Sequence, residues 1–145
     1  MTGVQTCALP ISIKVARQGL GDDVARDRNL ADNLRAYLAR AKRTDELDAL
    51  QRKLIAAYPD DYVYSYRYGR SLLEAGKPEA ALPYLSQAAS KAYGANRLAV
   101  ATQQVKALKA LHRVDEARKV ADQAVADSGP WFPKQTDALR LEVKS

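Results

Sequence analysis

Between Tyr62 and Tyr93 the chain reads YVYSYRYGRSLLEAGKPEAALPYLSQAASKAY, and no other stretch limits the fold as much. Its first half holds a local contradiction. Tyr62, Tyr64, Tyr66 and Tyr68 alternate with other residues, which by itself is a strand pattern rich in β-formers. The pattern then runs without a turn signal into Leu72 and Leu73, so that Tyr64, Tyr68 and Leu72 fall at i, i+4 and i+8 on one face of a helix. The helical reading predicts a helix over 62–75 capped by Asp60 or Asp61, then a turn at Gly76-Lys77. A second helix follows, opened by Pro78 in the first position, where its missing N–H costs nothing. Ala81, Leu85 and Ala88 form the inward stripe of that second helix. Small residues at Gly69, Ala81 and Ala88 let the two helices approach, and large ones fill the space between them. Pro83 conflicts locally, since it removes a helical hydrogen bond at ~3 kcal/mol in a plain helix interior. It predicts a small kink in the first turns.

The rest of the chain can be laid against this pair. Asp22 reads as an N-cap for a helix over 23–41 bearing Val24, Leu30, Leu34 and Leu38. Thr44 reads as the cap of the next, with Leu47, Leu50, Leu54 and Tyr58 inward and Pro59 as its stop. Gly94 is placed to end the helix that begins at Pro78, and Asn96 to cap a helix over 97–111 with Leu98, Ala101, Val105 and Leu108 inward. A helix over 115–126 follows, with Ala117, Val120, Ala121 and Ala124 inward. Gly129-Pro130 ends it, and Pro133 opens a short last helix with Leu139 and Val143. Trp131-Phe132, set between prolines, is expected to cover the open end of the last pair. Six helices thus form three pairs beginning near Arg28, Tyr62 and Leu98, at offsets of 34 and 36 residues.

A helix–turn–helix unit with a period near 34 resembles the tetratricopeptide repeat. The middle unit carries the resemblance through Tyr68-Gly69, Leu72, Gly76, Ala81, Leu85 and Ala88. The first matches at Leu34, Leu38, Leu54 and Pro59 but has Leu47 and Leu54 where small residues are usual. The third matches at Leu108, Ala117 and Ala124 but has Gln104 and Val105 at the large–small pair. The resemblance implies an all-α fold in which antiparallel helix pairs stack as a short right-handed solenoid with a C-terminal capping helix. The expected divisions are 28–61, 62–97 and 98–128 for the pairs and 129–145 for the cap, preceded by a partly ordered lead-in at 12–27.

Residues 1–11, MTGVQTCALPI, carry no charge and no periodicity, and are similar to the translation of a sequencing-library adapter. They lack the basic start of a secretory signal. They are expected to be an artefactual leader on a fragment of a longer bacterial chain, and they contain the sole cysteine, Cys7. Cysteine usage therefore points to no redox compartment, and the localisation is left open.

The family resemblance places function on a concave groove lined by the first helix of each pair. The corresponding residues are Asn29, Asp32 and Arg40 in the first pair. The second contributes Val63, Tyr66, Arg70 and Leu73, and the third Ala99, Thr102, Lys106 and Lys109. Arg70 follows Tyr66 by one helical turn, where a guanidinium can stack on the ring and still offer a fork of donors. With Lys106 and Lys109 this suits a protein or an extended, acidic peptide. The rival reading is a solvated face on a spacer. Asp32 and Ala36 occupy two positions where chaperone-binding relatives hold a terminal carboxylate, which argues against that subclass.

The net charge of +6 spread through 28% charged residues gives interspersed helix faces and no basic block, so no nucleic-acid or membrane partner is expected. His112 is the sole histidine and has no second ligand at metal-binding spacing. Asp45-Glu46, Asp60-Asp61 and Asp115-Glu116 fall at helix starts, where the dipole accounts for acids. No catalytic constellation and no cofactor motif can be assembled, so the chain is read as a non-enzymatic binding scaffold. A second expectation comes from YPDDYVYSYRYGR and ALPYLSQAASKAYGANR. These look similar to C-terminal repeat regions of bacterial thioredoxin-like proteins, and the chain would then be the non-catalytic segment of a truncated redox enzyme.

Overall fold

A computed structural model describes residues 2–145, with side chains from residue 8 onward. Its elements are α1 (Thr2–Leu20), α2 (Arg28–Arg40), α3 (Thr44–Ala57), α4 (Tyr62–Glu74), α5 (Pro78–Lys91), α6 (Ala95–Ala110), α7 (Val114–Ser128) and α8 (Pro133–Lys144). A 3-10 turn at Gly129–Trp131 precedes the last helix. The protein is all-α, with no strand among the described residues. It divides into two units, Met1–Pro59 and Asp60–Ser145.

One backbone device recurs in both units. After α2, α4 and α6 the chain reverses through a residue with positive φ: Lys42 (55°), Gly76 (75°) and His112 (59°). The next N–H reaches back to a leucine carbonyl: Arg43 to Leu38 at 3.0 Å, Lys77 to Leu72 at 2.9 Å and Arg113 to Leu108 at 2.8 Å. A second bond runs from the positive-φ residue itself to Ala39, Leu73 or Lys109. This is the Schellman arrangement, which satisfies carbonyls that a helix end leaves orphaned. Its copies are spaced by 34 and 36 residues. Only Gly76 takes the left-handed conformation without a Cβ penalty.

In the first unit, residues 12–27 differ from the expected lead-in. They are helical as far as Leu20, and Ile13, Ala16 and Leu20 are buried with Ala31, Leu34, Leu38, Leu50 and Leu54. These three stand 34 positions before Leu47, Leu50 and Leu54, so α1 has the register of a second helix of a pair. Gly19 is not a breaker but a contact point, where a Cβ would lie 2.5 Å from Leu30 Cδ2. α2 begins at Arg28 rather than near Asp23, and Asp27, not Asp22, caps it by accepting the Leu30 N–H at 3.0 Å. Asp23 instead accepts the Ala25 N–H at 2.9 Å, which holds the segment between the helices in a turn. Thr44 is the first residue of α3 rather than its cap, and its hydroxyl donates to the Lys42 carbonyl at 3.3 Å. Arg28 lies over the Tyr58 ring, 4.6 Å from its centroid.

In the second unit the tyrosine run is helical. Asp61 caps α4 through the Val63 N–H at 3.0 Å, while Asp60 is drawn to Lys91 at 2.9 Å. Tyr64 and Tyr68 are buried, and Tyr68 meets Tyr84 edge-on at 4.5 Å between centroids. α4 and α5 close on each other at Gly69, where a Cβ would lie 2.8 Å from Leu85 Cγ and 3.3 Å from the Ala81 carbonyl oxygen. α5 runs through Pro83, whose ring is exposed, as is Glu79, the owner of the carbonyl that loses its partner. The positions of Gly69 and Leu85 are taken in α6 and α7 by Val105 and Ala121, both buried in one cluster with Leu98, Leu108, Ala117, Ala124 and Leu139. Glycine faces leucine in one pair and valine faces alanine in the other.

Gly94 is the N-cap of α6 rather than the end of α5, which stops at Lys91 with Ala92 extended. α6 therefore starts before Asn96, whose side chain makes no cap bond. Phe132 packs on the core cluster as expected, but Trp131 does not. The 3-10 turn at Gly129–Trp131 ends with Trp131 79% exposed.

Two outcomes test these contacts. Gly69→Val will destabilise by about 1–3 kcal/mol through overpacking, and Leu85→Ala by about 2–5 kcal/mol through a cavity. The double variant restores the valine–alanine arrangement and will lose less than the sum in urea unfolding. Strict additivity would refute the volume exchange. Lys42→Gly and His112→Gly will each raise stability by about 0.5–1 kcal/mol by relieving the left-handed backbone, whereas Gly76→Ala will lower it by about 1 kcal/mol. A lower melting temperature for both glycine variants would contradict this account of the turns.

Candidate functional site

Tyr66 is the pivot of the second unit's open face. Its side chain packs against two clusters, one of Ala81, Leu85 and Ala107 and the other of Ala88, Ala92 and Val100. It is therefore held by two clusters while remaining half-exposed. Capping by Asp61 sets the phase of α4, which puts Tyr62, Val63, Tyr66, Arg67 and Arg70 along one edge. Across from them α6 presents Asn96, Ala99 and Val100. Together they enclose a cavity of about 230 Å³.

The cavity has two chemically distinct ends. Tyr62, Val63, Ala99 and Val100 make an apolar end, and the ring of Tyr62 is fixed edge-on against Tyr93 at 5.9 Å. Burial, then the neighbouring Tyr93 and Tyr66 phenols, push the Tyr62 hydroxyl above its ordinary pKa, so it stays neutral. Arg67 and Arg70 make a cationic end. Arg70 Nε donates to Glu74 Oε1 at 3.0 Å, and Glu74, followed by the Tyr66 hydroxyl, raises the guanidinium above its already high pKa. Glu74 takes one face of the fork. A guanidinium has five N–H donors, so Arg70 can still address a further acceptor. Asn96 adds an amide with both donor and acceptor.

Of the residues expected in a groove, Val63, Tyr66, Arg70 and Ala99 line this cavity and the others do not. Thr102 donates its hydroxyl to the Leu98 carbonyl of its own helix at 2.9 Å. Lys106 is exposed farther along α6. Leu73 packs toward Ala81, Leu85 and Ala107. Lys109 is committed elsewhere: its Nζ donates to the Glu142 carbonyl at 2.6 Å and to Ser145 Oγ at 3.2 Å. The C-terminal end of α8 carries partial negative charge and draws the cation. Asn29, Asp32 and Arg40 lie on α2 in the first unit, Asn29 and Arg40 exposed and Asp32 paired with Arg35 at 3.9 Å.

Sequence reasoning missed Tyr62, Arg67, Asn96 and Val100 as lining residues. The spacing of Tyr62 and Tyr66, and of Arg67 and Arg70, was available as a signal. Asn96 was masked by its reading as a cap. A larger depression of about 470 Å³ opens among Ala89, Ala101, Val120 and Ala124. Its rim charges are of mixed sign, and Arg97 there turns to the Asp127 carbonyl at 3.5 Å. The smaller cavity has the sharper chemistry. Among the described residues no cluster of three His, Cys, Asp or Glu side chains is arranged to hold a metal. No helix among them is long and apolar enough to cross a membrane.

No family model, no curated protein and no solved structure matches the chain.

The Lys109 assignment makes a direct prediction. Lys109→Met will speed amide exchange over Leu141–Ser145 by loosening the end of α8, at a cost of about 1 kcal/mol. Lys106→Met will leave those amides unchanged. Equal protection in both variants would show that the contact does not hold the helix.

Proposed function

We propose that this chain is a non-catalytic helical-repeat scaffold that holds a protein or extended peptide in the groove between α4 and α6. The carrying observation is the cavity itself, with a tyrosine packed against two clusters, an apolar part and a cationic part. Side chains so positioned lose little entropy when a ligand arrives, which favours binding over a merely solvated face. The three Schellman turns at 34 and 36 residues support a tetratricopeptide-type repeat. Stacking into a short right-handed solenoid closed by α8 belongs to the same proposal. In it Tyr66 and Arg70 are the principal contacts.

A displayed library of random decapeptides, panned on the wild type and on the Tyr66→Ala/Arg70→Ala double variant, tests this. Enrichment on the wild type that is lost on the folded variant is the expected result. Folding is checked by circular dichroism. Equal enrichment on both proteins would remove the groove as the binding surface.

A further inference from the structure

The two ends of the cavity lie at a definite separation. Val63 and Arg70 belong to one continuous helix, seven residues apart in sequence. At 1.5 Å rise per residue their backbones are about 10 Å apart along the axis. A peptide extended in the polyproline II form advances about 3.1 Å per residue and returns to the same face every third residue, whereas a β-strand would turn positions three apart to opposite faces. A ligand with a side chain in the apolar end and an acceptor at the cationic end therefore carries the two about three positions apart.

Charge sets the acceptor. Arg67 and Arg70 stand on the same rim, and the cavity lining contains no carboxylate. Glu74 meets Arg70 from outside the lining, in a pair whose members are 53% and 64% exposed. Such an exposed pair exchanges readily for another carboxylate, because water screens it and two long side chains must be ordered to keep it. A planar guanidinium matches a carboxylate in forked geometry better than it matches a carbonyl. The apolar lining of Tyr62, Val63, Ala99 and Val100 suits one aliphatic or aromatic side chain.

We infer that the groove selects a peptide extended in the polyproline II form and bearing an apolar side chain and an Asp or Glu side chain three positions apart. This rests on the binding reading above and adds the ligand's chemistry and spacing. The acidic group is taken as a side chain; a terminal carboxylate would need the apolar residue further up the chain, and amidation of the C-terminus separates the two.

The sequences enriched by the decapeptide library decide it. They should share an apolar residue and an acidic residue three apart, in a single orientation. Panning on Arg70→Glu should replace the acidic residue by Lys or Arg, and Arg70 is exposed enough for that variant to fold. For a fluorescein-labelled consensus peptide, anisotropy should show about a tenfold loss of affinity on changing its acid to the amide. Amidating its C-terminus should change nothing. Enriched sequences with no acid or no fixed spacing, a retained acid preference on Arg70→Glu, or loss on C-terminal amidation would each overturn the inference while leaving the groove a binding site. No enrichment on the wild type would overturn the binding reading, and this inference with it.

Discussion

The second unit depends on the closeness of α4 and α5 at Gly69. A hydrogen in place of a side chain brings Leu85 and the Ala81 carbonyl to the surface of α4. Everything on the other side of α4 follows from that approach. Tyr68 can meet Tyr84, Tyr66 can rest on two clusters at once, and the edge bearing Arg67 and Arg70 is held against α6 at a fixed phase. A larger residue at this one position would move the floor of the cavity as well as the core.

The neighbouring pair solves the same packing problem with the opposite volumes. Val105 stands where Gly69 would, and Ala121 where Leu85 would. Total side-chain volume across the contact is kept roughly constant, which close-packed interiors require. The exchange also discriminates between partners. Joining α4 to α7 would leave a void opposite the glycine, and joining α6 to α5 would force valine into leucine. Local volume thus specifies which helices pair, a choice that hydrophobic patterning alone leaves open.

Much of this was legible in the residues. The helical reading of the tyrosines, the turn glycine and the proline at the start of α5 all follow from spacing and elementary backbone constraints. Other points needed coordinates. Gly19 looks like a breaker in sequence, yet it lies inside α1 because α2 brings Leu30 against it. Asp22, Thr44 and Asn96 are good caps by type, but helices begin where the whole turn closes, and Asp27, Arg43 and Gly94 occupy those positions. Val105 reads as a departure from pattern only when its facing residue is ignored. At the site, Lys109 has the right charge and helix for a groove, and is removed from it by a carbonyl on a helix 33 residues away in sequence. No local rule contains that contact.

The exposure of Trp131 has a spectroscopic consequence. It is the sole tryptophan, and its indole already stands in water in the folded chain. Its emission therefore has little distance to travel when the helices come apart. The optical signature of the packed state lies with the tyrosines, whose rings sit edge-on in pairs and will give the near-ultraviolet dichroism its sign and shape.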